Sequence, residues 1–168
     1  YNGTAWSEGN DLNQARAFLS GMGTQTAGLA AGGEDGSSKY NNSEEYNGTS
    51  WTEGNNLNTA RSAMGSSDQS QTSGLVFGGT TGSVSALNEA YDGTSWTEVA
   101  DLNTARSTLA GSGASSTSAL AFGGTPPVTA ITESWNGTAW TEVADLNQAR
   151  NNLASSGTQG AALAFGGH

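Results

Sequence analysis

Tyr91-Asp92-Gly93-Thr94-Ser95-Trp96 decides the fold, because the chain states it four times. The same phrase stands at Tyr1-Asn2-Gly3-Thr4-Ala5-Trp6, at Tyr46-Asn47-Gly48-Thr49-Ser50-Trp51 and at Trp135-Asn136-Gly137-Thr138-Ala139-Trp140. Successive tryptophans lie 45, 45 and 44 residues apart. A fixed period of this size marks a repeat architecture, in which each unit is one supersecondary element that buries its faces against its neighbours.

Outward from each tryptophan the landmarks keep their order. Glu8, Glu53, Glu98 and Glu142 follow at two residues, and Leu12, Leu57, Leu102 and Leu146 at six. Arg16, Arg61, Arg106 and Arg150 follow at ten, so every arginine of the chain occupies one repeat position. Three further on stand Leu19, Met64, Leu109 and Leu153. A small-residue stretch then leads to an apolar run closed by a glycine pair: Gly32-Gly33, Gly78-Gly79, Gly123-Gly124 and Gly166-Gly167. The landmarks occupy 1–33, 46–79, 91–124 and 135–167, and the whole of 1–168 reads as a single repeat domain.

Asn-Gly or Asp-Gly between an aromatic and a tryptophan is a strong hairpin signal, since both residues tolerate the positive φ of a type I′ turn. The same turns account for three of the four Asn-x-Ser/Thr triplets (Asn2, Asn47 and Asn136, with Asn41 the fourth), so turn is preferred to glycosylation acceptor. Leu-Val-Phe-Gly-Gly at 75–79 and its counterparts read as a buried strand ended by a flexible pair. Leu102, Ala105, Arg106 and Leu109 fit helical spacing, yet the stretch is short and runs into Gly111-Ser112-Gly113. Local pattern leaves strand and helix both open there.

Composition narrows the function classes. With 25 Gly and only 12% charged residues the chain has the look of a linker, but aromatic and aliphatic residues recurring in register argue for order. The net charge of −10 speaks against nucleic acid and anionic membrane surfaces as partners. No apolar run is long enough for membrane insertion as a helix. The absence of cysteine removes disulfides, thiolate metal sites and cysteine nucleophiles. Tyr1 opens the chain without an initiator Met or signal peptide, which reads as a cut-out from something longer or a processed product. His168 is given no chemistry.

A glycine pair after an apolar strand, then an aromatic, a Trp, a Leu and an Arg, resembles the kelch repeat across essentially the whole chain. The wording Tyr-Asn-Gly-Thr-Ser-Trp-Thr-Glu followed by Leu-Asn-Thr-Ala-Arg also resembles repeat arrays of marine phage and bacterial structural proteins. The resemblance implies an all-β, kelch-like β-propeller with one four-stranded blade per ~45-residue repeat. It makes the Arg-led segment the inner strand and the Gly-Gly run the second. The segment ending in Tyr46, Tyr91 or Trp135 becomes the third strand, and the Trp-led segment the outer one. Four blades result, the last closed by the N-terminal Trp6 strand; the alternatives are half of an eight-bladed dimeric ring or part of a longer array.

Under that reading the repeated residues are scaffold. Trp6, Trp51, Trp96 and Trp140 pack blades. Each arginine either joins an axial ring that takes a carboxylate or sulfate, or pairs with a repeat glutamate such as Glu44, Glu89 or Glu133, and identical placement in every unit favours pairing. Candidate ligand contacts are residues that break the repeat: Lys39, the only lysine, its neighbour Tyr40, and Trp135, which replaces a tyrosine and offers a platform for a sugar. Specificity is expected in the irregular segments Glu34–Glu45, Thr80–Ala90 and Thr125–Thr132.

Enzyme chemistry finds little support. One terminal His and no Cys leave no catalytic triad and no zinc cluster, and no run has the oxygen-ligand spacing of a calcium loop. No metal and no cofactor are expected. Kelch-like galactose oxidases need a Cys-derived thioether and His copper ligands, which are absent. Asp92 to Trp96 resembles the Asp-box of sialidase propellers, but the spacing is one residue short and that family's arginine triad cannot be placed. The sequence therefore reads as a non-catalytic binding or structural module, recognising a glycan or protein on a virion or cell exterior. The alternatives are a self-assembling structural repeat and, remotely, a glycoside-acting propeller enzyme.

Overall fold

The computed structural model describes residues 1–67 and 69–168. Among them the chain is all-β, with fourteen strands in three four-stranded antiparallel sheets and one two-stranded sheet. The first sheet orders β1 (Ser20–Thr24), β2 (Ala27–Ala31), β3 (Ser43–Tyr46) and β4 (Trp51–Glu53) as a simple meander. The second repeats it with β5 (Gly65–Ser66), β6 (Leu75–Phe77), β7 (Asn88–Tyr91) and β8 (Trp96–Val99). The third does so with β9 (Ala110–Ser115), β10 (Ser118–Phe122), β11 (Thr132–Trp135) and β12 (Trp140–Val143). The last sheet holds only β13 (Leu153–Thr158) and β14 (Ala161–Gly166).

Alternation of side chains across a strand turns this series into a stack. Val76 of β6 packs toward the first sheet with Leu29, Ala31 and Trp96. Its neighbours Leu75 and Phe77 pack toward the third, against Ala119, Ala121, Trp135 and Trp140. Phe122 and Leu120 meet Leu153 and Ala164 of the fourth in the same way. Each middle strand is thus sandwiched on both faces, and the spacing between sheets is tight. A Cβ on Gly78, whose φ is +67°, would lie 2.5 Å from the Arg106 carbonyl oxygen of the next repeat.

Backbone bonds stitch successive repeats together near the inner strands. The Ala63 N–H donates to Phe18 O, Thr108 N–H to Ala63 O and Asn152 N–H to Thr108 O, each at 2.9 Å. All four residues take left-handed backbone angles, with φ between 51° and 55°. Asparagine tolerates that region, as Asn152 does; a β-branched residue does not. Thr108→Asn is expected to raise the unfolding free energy by about 1 kcal/mol, read from urea denaturation midpoints.

Three expectations need correction, and the open choice between strand and helix is closed. The Trp6 segment does not complete the last sheet. Tyr1–Asn10 forms no strand and lies beside the first sheet, where Gln25 Nε2 donates to Tyr1 O (3.0 Å) and Asn10 Nδ2 to Thr49 O (2.7 Å). The arginines stand before the inner strands, not in them. No helix forms around Leu102–Leu109, because the Asn103 N–H is taken by Glu133 Oε2 (2.7 Å) and Thr108 is left-handed. The Asn-Gly hairpins form, pairing Tyr46 with Trp51, Tyr91 with Trp96 and Trp135 with Trp140, but not as type I′ turns. Only the glycine has positive φ, while Asn47 Oδ1 accepts from the N–H groups of Thr49 (3.0 Å) and Ser50 (2.9 Å). The side chain supplies the turn, an Asx arrangement.

Candidate functional site

The repeated polar residues meet in one node in each four-stranded sheet. Arg61 Nη2 pairs with Glu89 Oε1 at 2.8 Å, and its Nη1 donates to Gly78 O (2.9 Å) and Leu87 O (2.7 Å). The same glutamate accepts from the Asn58 N–H (2.7 Å) and Asn58 Nδ2 (2.9 Å). Arg16 with Glu44 (2.5 Å) and Arg106 with Glu133 (3.1 Å) repeat the pair, with Asn13 and Asn103 in the place of Asn58. All six charged side chains are at most 2% exposed. Each of these three arginines therefore anchors a third strand to the connector that crosses its sheet, and none of the three faces an axial ligand. Burial depresses the Arg61 and Arg106 guanidinium pKa values, with the partner carboxylates opposing.

Glu44 shows the pH consequence. Burial pushes its carboxyl up, but the Asn13 and Arg16 donors win and hold it below the ordinary 4.5. Glu34 is likewise lowered, by Lys39 and then Ser62. A depressed folded-state pKa means that the unfolded chain binds more protons, so these groups add stability above the unfolded pKa and lose it as pH falls. Melting temperature is expected to hold level from pH 7 to about 5.5 and to drop below about 4.5, as a calorimetric pH series would read.

The residues that break the repeat fall in different places. Lys39 Nζ is held by Glu34 Oε2 (2.5 Å) and Ser62 Oγ (3.1 Å), and Ser62 Oγ itself donates to Glu34 Oε2 at 2.7 Å. Tyr40 Oη donates to Asp35 Oδ2 (2.6 Å), which with the Ser38 and Ser37 N–H groups keeps the Asp35 carboxyl far below the usual range. Trp135 lies elsewhere. It is 1% exposed, its ring packs 5.3 Å from Trp140 and its Nε1 donates to Ser116 O, so no face is open to a sugar. The reason is its register: opposite Ala119 on the third sheet, it points into the seam with the second.

What the fold does bring together is the first irregular segment and the second. Glu34, Gly36, Ser38 and Lys39 form one wall of a cleft of about 570 Å³, and Ala60, Thr81 and Gly82 the other. Its lining is hydroxyl, carboxylate, ammonium and backbone, suited to hydrogen-bonding a polar ligand. The Thr81–Gly82 wall was not singled out by residue, though it begins the second irregular segment. The clamping asparagines were missed too, although Asn13, Asn58, Asn103 and Asn147 recur at one repeat position. Compared with protein-family models and with curated proteins, the chain matches none.

Proposed function

We propose that the chain is a non-catalytic recognition module of kelch-like propeller type, presenting its irregular loops to a glycan or protein on a virion or cell exterior. One observation carries this: the repeated Arg–Glu pairs of the first three sheets are spent inside the fold, while the irregular Glu34–Lys39 and Thr81–Gly82 segments wall an open polar cleft. Blades of this kind hold a rigid frame, and loops on it hold the specificity. With the Trp6 segment beside the first sheet, the ring form that fits is a larger one, two chains making eight blades or a longer array. Glycan-array screening followed by Ser38→Arg and Thr81→Arg is the test. Binding that both changes abolish, with melting temperature unmoved, supports the reading; binding indifferent to both sinks it. Turnover on glycosides is expected to be absent.

Self-assembly is the second reading. Leu163 and Phe165 are 62% and 46% exposed, whereas their counterparts Leu75 and Phe77 are fully buried under the next sheet. A face built for a neighbour favours stacking on another copy. Light scattering across a range of concentrations tests it: a constant mass near 17 kDa speaks against assembly.

A further inference from the structure

Three of the four turns between aromatic and tryptophan carry Asn-Gly: Asn2-Gly3, Asn47-Gly48 and Asn136-Gly137. These residues are all exposed. In each turn the asparagine is held by its carbonyl oxygen. Asn47 Oδ1 accepts from the Thr49 and Ser50 N–H groups at 3.0 and 2.9 Å, and Asn136 Oδ1 from those of Thr138 and Ala139 at 2.9 Å each. Asn2 Oδ1 does the same with Thr4 (3.0 Å) and Ala5 (2.9 Å). Among the described residues, nothing accepts from the Asn47 and Asn136 Nδ2 groups or from the Gly48 and Gly137 N–H groups. Elsewhere the arrangement is reversed. Asn41, Asn58, Asn88 and Asn103 are held through Nδ2, by Leu57 O, Glu89, Ala100 O and Glu133, and none of them precedes a glycine.

The difference has a chemical consequence. A free glycine nitrogen can attack the side-chain Cγ of the asparagine before it, and no Cβ stands beside that nitrogen to hinder it. Solvent base first takes the glycine amide proton. The N–Cγ bond then forms and negative charge gathers on Oδ1. Two N–H groups already aimed at Oδ1 stabilise that charge, as in an oxyanion hole. The Cγ–Nδ2 bond breaks, and the leaving nitrogen takes a proton from solvent and departs as ammonia. Water opens the resulting five-membered imide on either side. Cleavage of N–Cγ gives aspartate on an unchanged main chain; cleavage at the main-chain carbonyl gives isoaspartate. One water is consumed for each ammonia released.

The remaining turn shows that the aspartate product fits. Asp92 holds the same repeat position, and its Oδ1 accepts from the Thr94 and Ser95 N–H groups at 2.8 Å each. Those donors, Ser95 foremost, keep the Asp92 carboxyl below the usual carboxylate range. Groups that favour the finished carboxylate also favour charge on the same oxygen during the reaction.

We infer that Asn47 and Asn136, with Asn2 in the same turn, are self-modifying sites that react with water, without an enzyme, to become aspartate and isoaspartate. Each event adds a negative charge at a turn to a chain whose net charge is −10. Isoaspartate also lengthens the main chain between Trp135 and Trp140, which pair across their hairpin and pack in one seam. The inference is independent of the cleft reading.

The test ages the intact chain in mildly alkaline buffer and locates the change by tandem mass spectrometry of its peptides. The mass gain of an amide-to-acid exchange is expected at Asn47 and Asn136, with Asn41, Asn58, Asn88 and Asn103 unchanged. A linear peptide of residues 44–53 is the reference, since it has the dipeptide without the fixed turn. Asn47 is expected to convert about tenfold faster in the folded chain than in the peptide. Its rate should climb with pH, because the glycine nitrogen must lose a proton. The aspartate form is expected to coelute in anion exchange with the Asn47→Asp protein, whose melting temperature matches the parent's. No gain at either site overturns the inference. A folded rate equal to or below the peptide's also overturns it, since the turn would then shield the amide. Equal conversion at Asn58 or Asn103 does so too.

Discussion

Arg61→Ala is expected to lower the unfolding free energy by about 4 kcal/mol. The guanidinium is fully buried, pairs with Glu89 and donates to the Gly78 and Leu87 carbonyls, so one truncation removes an ion pair and strands three acceptors. Glu89 keeps its Asn58 donors but stays as a buried carboxylate without a cation. An uncompensated buried charge, more than the lost attraction, sets the size of the effect. Exchanging the pair for apolar residues, Arg61→Met with Glu89→Leu, is expected to cost less than Arg61→Ala alone. Arg150→Ala, at the same repeat position but with no carboxylate paired to it among the described residues, is expected to cost about 1 kcal/mol or less. Urea denaturation of the four proteins checks the order, and equal losses at Arg61 and Arg150 would refute the account.

Trp96→Ala is expected to cost about 4 kcal/mol and Trp6→Ala less than about 0.5 kcal/mol. Both residues are the same letter of the repeat. Trp96 is 6% exposed, 4.9 Å from the Tyr91 ring, and sits in the cluster that joins the first sheet to the second. Trp6 is 84% exposed and touches Tyr1 at 5.2 Å, outside any core. Removing Trp96 empties a seam that two sheets line, and neither collapses to fill it. The contrast tests whether seams between sheets, and not hairpins by themselves, hold the molecule together. Thermal unfolding of the two variants decides it.

Much of this was open to reading in the chain. The period declared a stack, and the strands and hairpins followed from apolar runs and Asn-Gly pairs. Arg and Glu recurring at one spacing in every unit raised an internal pair, and a repeated position is where scaffold chemistry shows. Less legible was anything set by neighbours. Trp135 looked like a departure from tyrosine, but its exposure depends on which side of β11 faces the second sheet, a matter of register across two repeats. The left-handed angle at Phe18, Ala63, Thr108 and Asn152 has no signature, because four different side chains hold it. Helical spacing at Leu102–Leu109 came from a connector that anchors Leu102 and Leu109 in the same seam as it crosses an edge. Two anchors seven residues apart imitate a helix without requiring one.

The bonds from Ala63 to Phe18, Thr108 to Ala63 and Asn152 to Thr108 all run the same way, from a later amide to an earlier carbonyl. The series therefore has unlike ends, a donor N–H at Phe18 and an acceptor C=O at Asn152. Like a row of hooks and eyes, it can be lengthened only by units facing in the same sense. Two stacks meeting at their Asn152 ends would set carbonyl against carbonyl, and two meeting at Phe18 would set amide against amide. Direction is thus written into the main chain, and head-to-head joining is refused whatever the side chains favour.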